Sequence, residues 1–96
     1  MNRIRRRIKK RRRYETLTPE CRRLWNRFDP IGVGGDLMDD EYDRYVARTA
    51  KMLAEGADTV KVADYVRNVV RNTLGISDIP EVEILEFARQ LKRLSA

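Results

Sequence analysis

Apolar residues recur at helical spacing through most of the chain. In "TPECRRLWNRF", Cys21, Leu24, Trp25 and Phe28 fall at i, i+3, i+4 and i+7, one face of a helix. Thr18 is a good N-cap and Pro19 suits a first helical position. Asp29-Pro30 stops this helix, because a residue before proline avoids the α region. A loop, "DPIGVGGD", follows. Its glycines Gly32, Gly34 and Gly35 permit backbone shapes that other residues resist.

The second predicted helix is "DDEYDRYVARTAKMLA", capped by Asp36, Asp39 or Asp40. Its buried stripe is Tyr42, Tyr45, Val46, Thr49, Met52 and Leu53, and Gly56 ends it. The third, "DTVKVADYVRNVVRNTLG", takes Asp58 or Thr59 as cap and ends at Gly75. Val62, Val66, Val69 and Val70 form its apolar face, flanked by Tyr65 and Leu74. Four valines invite a strand reading, but period two places Asp64 and Asn68 on the apolar face, so the spacing favours helix. The fourth is "PEVEILEFARQLKRL", with Pro80 near its first position and a stripe of Ile84, Leu85, Ala88, Leu91 and Leu94. Its glutamates sit early and its cations late, as the helix dipole prefers. Burying four such stripes together gives the expected fold class: all-α, a small four-helix bundle-like domain.

Charge divides the chain. Residues 1–14, "MNRIRRRIKKRRRY", hold nine Lys or Arg and no acid. Residues 15–96 hold twelve Lys or Arg against fifteen Asp or Glu. The organisation predicted is therefore a basic arm over 1–14 and a mildly acidic helical domain over 15–96. Like charges at i,i+4, such as Arg3/Arg7 and Lys9/Arg13, disfavour an isolated helix. The arm is expected to be disordered and to gain helix on a polyanion.

Composition narrows the chemistry. With one cysteine, Cys21, no intrachain disulfide forms, and a reducing cytoplasm is the default location. There is no histidine, which removes the commonest general base and metal ligand and excludes a Cys/His zinc site within one chain. No apolar run reaches membrane-spanning length, and no apolar segment follows the basic start as a signal peptide requires. No cofactor, metal or catalytic residue is expected, and the chain reads as a non-enzyme.

Several motifs have plainer readings. "GVGG" lacks the Lys-Ser/Thr of a phosphate loop and reads as a turn. The acids Asp36, Asp39, Asp40, Glu41 and Asp43 follow the glycines instead of enclosing one, unlike a calcium loop, and read as caps and a solvated face. A helix-turn-helix across "GISD" presents Glu81, Glu83 and Glu86 to phosphates, which opposes that docking.

The arm carries the main functional expectation. Arg3, Arg5, Arg6, Arg7, Lys9, Lys10, Arg11, Arg12 and Arg13 supply a large counterion-release term on DNA, RNA or another polyanion. Arginine outnumbers lysine seven to two, which suits bidentate phosphate contacts and stacking on bases. Membrane insertion is not expected, since Met1, Ile4 and Ile8 offer little to insert. "KKRRR" also fits a localisation signal, and the plainest alternatives are a solubilising tail or a start codon assigned upstream of the true one. The competing function is a protein-interaction module of immunity, antitoxin or adaptor type, using Asp36, Asp39, Asp40 and Asp43 against a basic partner.

From Phe28 to Ile76, "FDPIGV", "DEYDRYV" and "GADTVKVADYVRNVVRNTLGI" resemble a group of small uncharacterised bacterial proteins. These share an aromatic-Asp-Pro-Ile-Gly segment, an Asp-Glu-Tyr-Asp segment and a helix ending in a Gly-Leu/Ile turn. Here Phe28 replaces the usual Trp, and "VRNTLGI" departs from a more acidic ending. The resemblance implies a small helical bacterial protein and assigns no activity. A structural reason for the shared segments is that Asp29-Pro30 stops one helix, the glycines turn the chain, and Tyr42 and Tyr45 pack under that turn and hydrogen-bond to it.

Overall fold

The computed structural model describes residues 2–30, 32 and 42–95, with side chains from residue 12 onward. Helix α1 spans Asn2–Phe28, α2 Asp43–Ala54, α3 Thr59–Asn68 and α4 Glu81–Arg93. A π-helical turn, Val69–Thr73, continues α3. The fold is all-α, with no strand among the described residues. Helices α1 and α2 pack side by side, as do α3 and α4, and α4 also touches α1 and α2.

The core follows the predicted stripes closely. Cys21, Leu24 and Trp25 of α1 are buried, as are Tyr45, Val46, Thr49 and Leu53 of α2, Val62 and Val66 of α3, and Ile84, Ala88 and Leu91 of α4. Some residues of the stripes differ, Phe28 and Leu94 being only partly buried. Phe87 is buried where Leu85 was expected, and Met52 is only partly covered. Phe87 turns inward because its ring meets Trp25 edge-on at 4.9 Å and stacks on Phe28 at 4.2 Å.

Helix α1 does not begin at Thr18. It runs from Asn2, and Pro19 lies inside it. Thr18 caps nothing; its hydroxyl donates to the Tyr14 carbonyl at 2.6 Å. An internal proline costs about 3 kcal/mol in a helix. Burial of Leu17, one turn before Cys21, offsets this by lengthening the apolar stripe, and Tyr14 packs partly against it. Beyond Tyr14, each residue joins an existing helix and so avoids the nucleation cost that an isolated arm faces. The segment expected to be disordered until it meets a polyanion is thus helical in its backbone from Asn2.

The other boundaries have local causes. Asp29 adopts a left-handed conformation (φ 44°) where α1 stops, and the Tyr42 hydroxyl donates to its Oδ1 at 2.6 Å. Gly56 (φ 85°) ends α2. There the Ala57 N–H reaches the Met52 carbonyl at 2.9 Å and the Gly56 N–H the Leu53 carbonyl at 3.1 Å, a Schellman turn. Lys92 Nζ then donates to the Ala57 carbonyl at 2.7 Å, tying α4 to that turn.

Asp58 caps α3, its carboxylate accepting from the Lys61 N–H at 2.9 Å. Asp58→Ala is expected to lower stability by about 1 kcal/mol in urea denaturation. Pro80 stands at the N-cap of α4, one place before the position expected for it.

The π turn was not foreseen. Its Leu74 N–H bonds to the Val69 carbonyl at 2.8 Å, one residue wider than an α-helical bond. Val69 and Val70 are both buried in it. Arg71 braces the segment after it, donating to the carbonyls of Ile76 at 3.2 Å and Ile79 at 2.5 Å.

One polar node lies inside the core. The Trp25 indole N–H donates to Thr49 Oγ1 at 3.1 Å, and Thr49 Oγ1 lies 2.7 Å from the Tyr45 carbonyl. Thr49 is fully buried. Thr49→Val keeps the shape but orphans the indole N–H, which is expected to cost about 1–3 kcal/mol in thermal denaturation followed by circular dichroism.

Candidate nucleic-acid interface

The expected arm residues form the N-terminal part of α1. Its backbone is described from Asn2, but the side chains of Arg3, Arg5, Arg6, Arg7, Lys9, Lys10 and Arg11 lie outside the described residues. Arg12 and Arg13 are described, and both are exposed. They border a small hollow completed by Thr16, Leu17, Leu94 and Ser95.

A larger feature lies between α1 and α2. A groove of about 550 Å³ is lined by Tyr14, Arg44, Ala47, Arg48, Lys51, Ala54 and Glu55. It exists because α2 runs antiparallel to α1: Trp25 meets Tyr42 and Tyr45 near one end, and Tyr14 meets the last turn of α2 at the other. Tyr45, Val46, Thr49 and Leu53 turn into the core. Arg44, Arg48 and Lys51, at i, i+4 and i+7, then line up on the exposed side. Two alanines leave the floor between the helices shallow and apolar.

Charge pairing is uneven over the described surface. Arg22 pairs with Asp43 at 3.1 Å, Arg23 with Glu20 at 2.8 Å and Arg89 with Glu86 at 3.7 Å. Arg67 bonds to both Asp64 and Glu81, which raises the Arg67 pKa and lowers that of Glu81. Arg12, Arg13, Arg44, Arg48 and Lys51 pair with no carboxylate among the described residues. Glu55 is the one acid in the groove lining. Arg44, Arg48 and Lys51 thus form a row of cations along the exposed side of α2.

Tyr65 of α3 is partly buried against the core. Burial raises its phenol pKa above the ordinary value and Tyr45 adds to the rise, while the charges of Arg48 and Arg44 act the other way. Arg44 and Arg48 are thus near enough to Tyr65 to be felt electrostatically.

The sequence reading placed no function on the cations of α2; on that helix it singled out only Asp43. Its i, i+4, i+7 cations are visible in "RYVARTAK". Their position beside Tyr14 depends on how α1 and α2 pack, which spacing along the chain does not show.

The acidic cluster divides differently. Asp36, Asp39 and Asp40 lie outside the described residues, as do Gly34 and Gly35 of the expected turn. Asp43 is held by Arg22, and its Oδ1 is buried. Cys21 is fully buried, and burial pushes its thiol pKa up to about 11. It is neutral at physiological pH and poorly suited to nucleophilic or redox work. No metal-binding cluster occurs among the described residues, and no helix among them is long and apolar enough to cross a membrane. In comparisons with known proteins, no family model, no curated protein and no solved structure matches the chain.

Proposed function

We propose that the chain is a non-catalytic nucleic-acid-binding protein that holds the phosphate backbone through Arg3 to Arg13. The observation that carries this reading is the concentration of cations, without an acid among them, in the arm. Nine Lys or Arg and no acid fall in residues 1–14, and among the described residues Arg12, Arg13, Arg44, Arg48 and Lys51 pair with no carboxylate. Unpaired cations gathered in one region attract polyphosphate and release its counterions. Binding of this kind is independent of base sequence, because phosphates carry no sequence information.

The test is fluorescence anisotropy with labelled DNA and RNA. It compares the full chain with a variant in which the nine arm cations become Gln, a residue that preserves helix propensity. Loss of binding in the variant supports the reading. Equal binding by both proteins, or none by the full chain at low salt, refutes it.

A further inference from the structure

We infer that the α1–α2 groove seats the unpaired bases of a single strand, with Tyr14 as the stacking surface and Arg44, Arg48 and Lys51 as phosphate contacts. The inference deepens the nucleic-acid reading and rests on it.

The groove joins two chemistries that a single strand also joins. Its floor offers Ala47, Ala54 and the partly buried ring of Tyr14, while its rim carries Arg44, Arg48 and Lys51. A nucleotide presents a flat apolar face on one side and a phosphate on the other. Stacking on an aromatic ring and pairing with nearby cations is the usual way such strands are held without sequence preference. Arg44 and Arg48 are one turn apart, a rise of about 6 Å along α2, so the row follows a backbone and is not a point.

A duplex fits this groove poorly, since its bases are already stacked inside and offer only their edges. A small anion does not use the apolar floor. The groove's volume of about 550 Å³ falls within the range of sites that enclose flat organic ligands, whereas the other described hollows reach about 260–340 Å³. An anionic membrane matches the cations, but a lipid headgroup makes no use of the apolar floor beside Tyr14. The polar rim also keeps acyl chains from the floor.

The experiment separates bases from phosphates. Binding of the full chain is measured to labelled oligo-dT, to an abasic sugar-phosphate strand of the same length, to a duplex, and to phosphatidylserine vesicles. Oligo-dT is expected to bind most tightly. Tyr14→Ala is expected to weaken oligo-dT binding by about 5- to 100-fold and to leave the abasic strand unaffected. Tyr14→Phe, which keeps the ring, retains binding. Arg44→Gln with Arg48→Gln weakens both strands. Circular dichroism checks that each variant keeps its helices, and if Tyr14→Ala does not, Tyr14→Phe against Tyr14→Leu reads the same contrast.

The assignment is overturned if loss of the ring at position 14 changes nothing or weakens the abasic strand equally. Ring-dependent binding to vesicles above that to oligo-dT overturns it too. Failure of the full chain to bind any nucleic acid refutes the underlying function. Equal binding of every strand, with the Tyr14 variants silent, refutes only the groove.

Discussion

Between about 50 and 200 mM salt, the affinity of the full chain for duplex DNA is expected to fall roughly 500-fold. A helix turns only part of its circumference to one strand, so about five of the nine arm cations can meet phosphates together. Five neutralised phosphates give a slope of about −4.5 for log affinity against log salt on a duplex, and about −3.5 on a single strand. The Gln variant of the arm is expected to bind too weakly for a slope to be measured. A slope near zero in the full chain shows that the arm does not work through phosphates.

Trp25→Ala is expected to lower stability by about 3–5 kcal/mol. The ring is wholly buried and stands where three helices meet. It lies 6.1 Å from Tyr42, 5.5 Å from Tyr45 and 4.9 Å from Phe87, centroid to centroid. Few other side chains can fill that space, so a cavity remains. Small domains often hold only about 5–15 kcal/mol in all. The variant is therefore expected to melt many degrees lower or to lose cooperative unfolding, as followed by circular dichroism. An unfolding free energy from urea denaturation within about 1 kcal/mol of the parent chain's counts against Trp25 as the organising residue.

Much of the fold was readable because the stripes are local. Val62, Val66, Val69 and Val70 marked the inner face of α3, and Gly56 and Gly75 marked helix ends by their positive φ. What was misread followed from competition between local and tertiary effects. Thr18-Pro19 has every mark of a helix start, yet burial of Leu17 carries α1 through it. Phe87 lies one step off a stripe read through Leu85, and only its partners Trp25 and Phe28 explain why it turns inward. The π turn depends on the tertiary placement of two adjacent valines, which no periodicity encodes.

The candidate site was half readable. The arm announced itself by composition, whereas the cations of α2 look like an ordinary solvated face until α1 is laid beside them. Of the two tyrosines expected to bond to the turn after α1, Tyr42 reaches Asp29 at the helix end, whereas Tyr45 turns into the core.

The bond from Trp25 to Thr49 also acts as a registration pin. Helices packed through small and branched side chains can slide past one another by a whole turn, about 5.4 Å, and still meet apolar surface. Such a slip here strands the indole N–H among hydrocarbon. The pin therefore fixes which residues of α2 face Tyr14, three turns away on the same rigid helix. A single hydrogen bond in the interior sets the alignment of a groove on the surface.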